Sequence, residues 1–152
     1  MKRRKEREFA LKILYAYEFN AEPVSVLIER LNDDNKALTT DFALGIIRTC
    51  IEKREDLDQD IRAKLQNWDF NRVAIIDKIL LRMAIVEFLC FEEIPPEVTL
   101  NEIIEIGKQY STERSGKFIN GILDAVLKEL RQEERIQKKG RGLISNLSSL
   151  SL

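Results

Sequence analysis

The chain has 152 residues, of which 34% are charged and 44% apolar, and its formal net charge is −1. This length fits a single domain that buries its own core. With three prolines, six glycines and no clean alternating apolar pattern, the sequence favours an all-α fold over one with sheets. Histidine, the commonest general base and metal ligand, is absent. We therefore expect neither an enzyme nor a cofactor.

The charge is distributed unevenly along the chain. Residues 1–12 carry a net charge of +4 and residues 131–141 one of +3, which leaves −8 for the remainder. Basic ends on an acidic body imply two surfaces of opposite sign, and hence two kinds of partner.

The first half of the chain predicts three amphipathic helical segments. The first runs over about Arg3–Phe19, and the second over Pro23–Leu31, with proline in its first turn. A polar loop follows at residues 32–36. Thr40 then resembles the N-cap of a long helix that reaches Leu65, with a break expected in the charged run 52–60.

The central segment, Val73–Phe91, is apolar nearly all round. A helix of this kind either spans a membrane or forms the middle of a bundle. Each central charge costs about 2.5–3.5 kcal/mol to insert into a membrane, whereas each large apolar residue returns about 0.3–0.6. The segment's charges therefore outweigh its apolar residues, and we expect a buried central helix. These charges are Asp77, Lys78, Arg82 and Glu87.

The last part of the chain predicts two more helices. Pro95-Pro96 ends the central segment, and an amphipathic helix follows until near Ser111. Another begins around 113–115, and its apolar period fades after about Glu134. The expected organisation is a bundle of about seven helices in two packed subdomains over 1–134. A flexible tail, basic and then rich in Ser and Leu, is expected at 135–152.

The cysteines and the N-terminus indicate a cellular compartment. Cys50 and Cys90 lie in apolar helical patterns and are expected to be buried free thiols, which suits a reducing environment. No apolar run of signal-peptide length follows Met1. We therefore expect a cytoplasmic protein that does not enter a membrane.

A basic cluster with a neighbouring aromatic side chain opens the chain. On a helix, Arg4, Arg7, Lys12 and Tyr15 share the sector beside the apolar stripe. Arginine binds phosphate oxygens with paired hydrogen bonds, and an exposed ring stacks on an unpaired base. The cluster is therefore either a solvated charged face or a surface for single-stranded RNA.

Asn120-Gly121 interrupts the apolar helical pattern KFINGILDAVL. Glycine inside a helix costs about 1 kcal/mol relative to alanine, so a compensating contact is expected. Either Gly121 permits close helix packing, or it lets a partner's backbone approach beside the hydrogen-bonding Asn120 and Asp124. Phe118 is likewise either a core residue or a stacking platform.

Three stretches carry recognisable motifs. RRKEREFALKILYAYEF has an arginine-rich start and an A-x-x-x-L-Y core, and RVAIIDKILLRMAIVEFL is similar to the pattern D-x-x-x-L-R-x-A-x-x-E-L. IPPEVTLNEIIEIGKQYSTERSGKFINGILDAVL is similar to a signature that runs from I-P-x-x-V-x-I-N-E-x-I-E-x-A-K-x-Y to S-x-x-F-V-N-G-V-L-D. Together these stretches cover most of residues 3–127 and resemble the NusB family of bacterial transcription antitermination factors.

The resemblance implies an all-helical fold and a non-catalytic role. Family members bind the boxA element of nascent RNA, chiefly ribosomal RNA transcripts, together with the small-subunit ribosomal protein NusE. That complex joins NusA, NusG and RNA polymerase and suppresses premature termination. Carried over by position, the RNA surface comprises Arg3, Arg4, Arg7, Lys12, Tyr15, Phe118, Asn120, Gly121 and Asp124. The resemblance further implies that the two parts of this surface adjoin.

Four further points bear on this interpretation. Glu87 matches a family glutamate that is either a contact for the protein partner or half of a buried helix–helix pair. Glu6 and Glu8 depart from the basic pattern of the first helix and are expected to weaken RNA binding. The alternative function is a non-catalytic scaffold whose acidic surface binds a basic protein. Self-association into a homodimer is also left open.

Overall fold

The computed structural model describes residues 2–20, 22–31, 38–66 and 69–140. Within these ranges it contains seven α-helices, one short 3-10 helix at Phe70–Arg72 and no strand, which confirms the all-α prediction. The helices are α1 (Lys2–Phe19), α2 (Val24–Leu31), α3 (Asp41–Glu52), α4 (Arg54–Arg62), α5 (Ile75–Cys90), α6 (Pro96–Tyr110) and α7 (Glu113–Gln132). The predicted loop at 32–36 lies outside the described residues.

The helix ends follow from capping residues and prolines. Thr40 accepts a hydrogen bond from the Ala43 amide at 3.2 Å, as predicted for the N-cap of α3. The expected break in the charged run occurs at Lys53, between α3 and α4. Pro96 starts α6, and Thr112 caps α7 through the Ser115 amide at 3.2 Å.

Helix α5 lies at the centre of the bundle. It packs against α1, α3 and α4 on one side and against α6 and α7 on the other, so it joins the two groups of helices. Every residue from Ile79 to Phe88 is buried, which confirms the predicted buried central helix. No helix in the described part of the chain is long and apolar enough to cross a membrane.

The buried charges Arg82 and Glu87 of α5 are each paired with an opposite charge on another helix. The guanidinium of Arg82 donates to Asp58 at 2.7 and 3.2 Å and to Glu18 at 3.2 Å. Such pairing offsets the large cost of removing a charge from water. It also explains why charges scattered around an apolar helix are compatible with its central position.

Helices α6 and α7 approach closely because small residues lie between them. A Cβ atom at Gly107 would lie 2.8 Å from Cδ1 of the fully buried Ile119. A Cβ atom at Gly116 would lie 3.0 Å from Cε of Lys108. This contact fixes which face of α7 points away from the bundle.

The packed unit extends beyond the predicted boundary at Glu134. The buried ammonium group of Lys138 donates to the carbonyl oxygens of Glu87 at 3.0 Å and Phe91 at 2.7 Å. The amide of Lys139 donates to the Glu92 carbonyl at 2.9 Å. Residues 138 and 139, which the sequence placed in a flexible tail, thus supply donors to carbonyls at and just after the end of α5. The rest of the predicted tail, 141–152, lies outside the described residues.

The cysteines agree with the sequence prediction only in part. Both are free thiols, and Cys50 is buried, but Cys90 is exposed. The prediction of burial was wrong for Cys90 because it is the last residue of α5, where the helix leaves the core. Burial raises the pKa of the Cys50 thiol far above its ordinary value, so this group is inert.

Candidate nucleic-acid interface

The outward face of α1 carries cations and aromatic rings in one row, which we call the α1 stripe: Lys5, Lys12, Tyr15 and Phe19. All four side chains are exposed and recur at helical spacing. The Tyr15 and Phe19 rings are tilted by 57° with their centroids 5.0 Å apart, and Phe19 is 62% exposed. Of the predicted RNA contacts, Lys12 and Tyr15 lie here. Phe19 is absent from the predicted contacts, because the sequence alone does not show that this ring faces solvent.

Arg3 and Arg4 reach the surface but already have partners. The Arg3 guanidinium lies 4.1 Å from the centre of the Phe42 ring, and Arg4 donates to the Glu102 carboxylate on α6. This hydrogen bond raises the pKa of Arg4. Their side chains remain 51% and 42% exposed. Both arginines are therefore available to a phosphate only by giving up or sharing these contacts.

Arg7 lies in the interior, against its predicted role as a phosphate contact. Its residue exposure is 2%, and Nε and Nη2 each donate to a Glu87 carboxylate oxygen at 2.7 Å. Thr99 donates to the same carboxylate at 2.9 Å. Glu87 is fully buried, so the interpretation as a buried helix pair is right and the predicted partner contact is wrong.

Helical spacing already contained the signal for this correction. Arg7 precedes Leu14 by seven residues and Ala10 by three, so it shares the face of these two buried residues. The exposed sector predicted for Arg7 was therefore wrong. Its partner, a buried carboxylate 80 positions away, has no local signal in the sequence.

The outward face of α7 forms a second row, which we call the α7 stripe: Arg114, Lys117, Asn120, Gly121, Asp124 and Lys128. All six residues are exposed. A Cβ atom at Gly121 would meet nothing within 4 Å, so close helix packing does not explain this glycine. Asp124 forms an exposed ion pair with Lys128 at 3.4 Å. Asn120 and Asp124 thus flank a strip of bare backbone that a ligand can approach.

A pocket that combines polar and apolar side chains, which we call the Asp77 pocket, lies at the start of α7 beside the half-buried Phe118. It encloses about 420 Å³, and its lining includes Arg72, Asp77, Ser111, Arg114, Ser115 and Phe118. Oδ2 of Asp77 accepts a hydrogen bond from the Ser115 hydroxyl at 3.1 Å. Oδ1 accepts none from the described residues, although Asp77 is only 6% exposed.

The free oxygen of Asp77 gives this pocket a definite chemical preference. A buried acceptor without a donor costs about 1–3 kcal/mol, so any N–H donor that reaches Oδ1 is favoured. Burial raises the pKa of Asp77 above its ordinary value, because the charged form loses hydration. Sequence reasoning missed the pocket because its groups come from separate segments: the 3-10 helix, α5, the α6–α7 turn and α7.

Helix α6 lies between the α1 and α7 stripes. One flank of α6 binds Arg4 through Glu102, and its other flank packs on α7 through Gly107 and Lys108. At the end of α6, burial and then the neighbouring Glu8 carboxylate raise the pKa of Tyr110. Ser111, the next residue, lines the Asp77 pocket. Tyr110, beside Glu8 of α1, and Ser111, in the lining of the Asp77 pocket, are therefore consecutive residues at the end of α6.

The geometry suits a polyanion better than a small substrate or a metal. Cations and aromatic rings occupy exposed rows, and the described part of the chain holds no group of side chains that could bind a metal ion. Exposed cations, stacking rings and base-edge donors or acceptors are the parts that a single nucleic-acid strand requires.

Comparison with known proteins identifies similar chains. The model of the NusB family matches residues 4–128. The transcription antitermination protein NusB of Chloroherpeton thalassium is 45% identical over 147 residues, which cover 93% of this chain and 69% of that one. These matches confirm the resemblance predicted from the three motif stretches.

Solved structures agree with this comparison. A T. maritima NusB structure is 40% identical with a TM-score of 0.75 and covers 84% of this chain and 91% of its own. A complex of the antitermination factors NusB and NusE with double-stranded RNA is 24% identical, has a TM-score of 0.74 and covers 84% and 97%. This last likeness supports the fold alone.

Proposed function

Because the chain belongs to the NusB family, we propose that it is a transcription antitermination factor that binds boxA-like single-stranded RNA of nascent ribosomal transcripts together with the ribosomal protein NusE. Family membership also bears out the prediction that the protein is not an enzyme. A solved complex of the antitermination factors NusB and NusE with double-stranded RNA shares this fold, which is consistent with one RNA and one protein partner. We further propose that it acts in the cytoplasm with NusA, NusG and RNA polymerase.

One RNA strand contacts both stripes in this proposal. Lys12 supplies a phosphate contact and Tyr15 a stacking ring on α1, with Arg3 and Arg4 adding charge at its start. Asn120 and Asp124 read base edges on α7, where the bare backbone at Gly121 lets the strand approach. Arg7 leaves the predicted set because it is buried, and the exposed Arg114 and Lys117 take its place.

The observation that carries the proposal is the exposure of Asn120, Gly121 and Asp124 in one row with cations. A helix gains nothing from an exposed glycine that packs against no neighbour. The same backbone strip, flanked by an amide and a carboxylate, is suited to a ligand that reads hydrogen bonds at short range. Stacking, phosphate and base-edge contacts then lie along a single path.

The Asp77 pocket adds a preference for particular bases. Its free carboxylate oxygen accepts from the amino group of adenine, cytosine or guanine, whereas uracil offers only a ring N–H between two carbonyl oxygens. The strand therefore places an amino-bearing base beside Phe118 and Ser115. The neighbouring Arg72 and Arg114 contact the adjacent phosphates.

Fluorescence anisotropy with a labelled boxA-like single strand tests the proposal. Neutralising about four phosphates predicts a slope near −3 when the logarithm of the association constant is plotted against that of the salt concentration. The double variant Lys12→Ala/Lys117→Ala lowers affinity about tenfold and flattens this slope by about 1.4. Lys53→Ala, an exposed cation between α3 and α4, is the control and leaves both unchanged.

Two competitors complete this experiment. A scrambled single strand and a duplex of the same sequence are expected to bind more weakly than the boxA-like strand. Equal affinity for all three, or a flat salt response, overturns the proposal and favours the protein scaffold. Light scattering with and without RNA reports whether a homodimer competes with RNA binding.

A further inference from the structure

An acidic pocket that contains aromatic rings lies at the N-terminal end of α1, away from the Asp77 pocket. It is bounded by α1, by the start of α3 and by the turn after α5, and it encloses about 510 Å³. Three carboxylates line it: Glu6, Asp41 and Glu93. Two cations of α1, Lys2 and Arg3, stand at the same place. We call it the Glu6 pocket.

Glu6 distinguishes this pocket from a group of exposed acidic side chains, because its carboxylate is buried. It is only 3% exposed, yet no described residue donates a hydrogen bond to its Oε2. Its ion-pair partner is Arg3, whose Nη1 lies 3.6 Å from Oε2, too far for a hydrogen bond. A buried carboxylate oxygen in this state is stabilised by any cationic donor that comes closer.

Two aromatic rings shape the same pocket for a flat or compact cation. The Arg3 guanidinium carbon lies 4.1 Å from the centre of the nearly buried Phe42 ring, and Phe91 meets that ring edge-on at 5.0 Å. The face of an aromatic ring attracts a guanidinium or an ammonium group. The Arg3 side chain is 51% exposed, so solvent and an incoming cation can reach it.

From these contacts we infer that the Glu6 pocket binds an arginine or lysine side chain from a basic partner protein. In the free protein, Arg3 occupies the position that this side chain takes. The incoming side chain donates to Oε2 of Glu6 and lies over Phe42, while Asp41 and Glu93 attract the flanking positive charges. RNA does not suit this pocket, because its three carboxylates repel phosphate.

Occupancy has a consequence for Arg3. Once displaced, its side chain is released to the outer face of α1, where a phosphate replaces Glu6 as its partner. This step rests on the proposed RNA-binding function, and it predicts that the basic segment and RNA strengthen each other's binding.

The test uses the full chain labelled with ¹³C and ¹⁵N and the peptide acetyl-Gly-Arg-Gly-Arg-Gly-amide, followed by NMR without RNA. The expected result is a saturable shift of the Phe42 and Phe91 ring signals. The same peptide with glutamine in place of arginine leaves these signals unmoved. Shifts spread over all acidic surfaces, or equal shifts with the glutamine peptide, overturn the inference.

Variants separate a built pocket from general charge attraction. Arg3→Ala removes the guanidinium that competes for Glu6, so the peptide is expected to bind at least about threefold more tightly. The substitution also makes the net charge of the protein more negative by one unit, which a control must match. Lys53→Ala changes the net charge equally and leaves peptide affinity unchanged. Arg3→Ala without effect overturns the inference.

Glu6→Gln is expected to weaken peptide binding at least fivefold. Asp41→Asn, at an exposed position, gives a smaller loss and serves if Glu6→Gln fails to fold. RNA titration in the presence of the peptide then tests the coupling alone. Unchanged RNA affinity with intact peptide binding overturns the release of Arg3, whereas absent RNA binding overturns the proposed function and leaves the pocket standing.

Discussion

Replacing Gly121 by alanine should stabilise the protein and weaken RNA binding at the same time. Gly121 lies inside α7, and a Cβ atom there would meet nothing within 4 Å. Alanine in a helix interior is about 1 kcal/mol more favourable than glycine. With no clash to subtract, Gly121→Ala should gain close to this full amount.

This gain can be expressed as a melting temperature. For a protein of this size, 1 kcal/mol shifts the midpoint of thermal unfolding by about 2–4 °C. Thermal unfolding followed by circular dichroism, together with urea titration, measures the change. Gln59→Ala, at an exposed position in α4, is the control because it raises helix propensity slightly at a site outside both stripes.

The RNA measurement is expected to move in the opposite direction. The added methyl group stands between Asn120 and Asp124, where the proposal brings the strand against the backbone. We expect the affinity for the boxA-like strand to fall about tenfold, or about 1.4 kcal/mol, while Gln59→Ala leaves it unchanged. If Gly121→Ala stabilises the protein but binds the boxA-like strand as tightly as the wild type, RNA does not approach the backbone at Gly121 as proposed.

The other predictions concern the interior. Arg7→Ala should lower the free energy of unfolding by about 3–5 kcal/mol in urea titration, because it leaves the Glu87 carboxylate buried without its partner; a loss below 1 kcal/mol would contradict this. Gly107→Ala should be about 1–3 kcal/mol less stable than Gly121→Ala, since its Cβ would lie 2.8 Å from Ile119, and equal melting temperatures would disprove the close packing. The pKa of Asp77 is raised by burial, so its contribution to stability is complete below pH 3.8 and is lost as pH rises through the folded pKa. Asp77→Asn should therefore unfold at higher temperature than the wild type at pH 7, with the difference vanishing below pH 3.8, and it should lose affinity for an amino-bearing base.

The helices and the central element could be predicted from the sequence because their signals are local. Thr40 and Pro96 mark helix starts through capping and a fixed backbone angle. Val73–Phe91 carries apolar residues nearly all round the helix, which indicates burial on every side. Chain-local signals of this kind depend on neighbours within one turn, so the fold class and most boundaries follow from them.

The site could be predicted only in part because its geometry depends on distant pairs. Arg7 donates hydrogen bonds to the carboxylate of Glu87, which is 80 positions away in the sequence. Lys138 donates to the backbone carbonyl of the same residue, which is 51 positions away. A basic residue looks alike in sequence whether it binds a phosphate or a buried carboxylate. Gly121 was ambiguous for the same reason, since only the empty space around it excludes helix packing.

The central claim is that one RNA strand contacts the α1 and α7 stripes together. Amide NMR spectra of the ¹⁵N-labelled chain, recorded with and without the boxA-like strand, test it most directly. The account predicts shifts at Lys12 and Tyr15 and also at Lys117–Asp124, all saturating at one RNA per chain. Shifts confined to one stripe, or two stripes that saturate at different RNA concentrations, would contradict it.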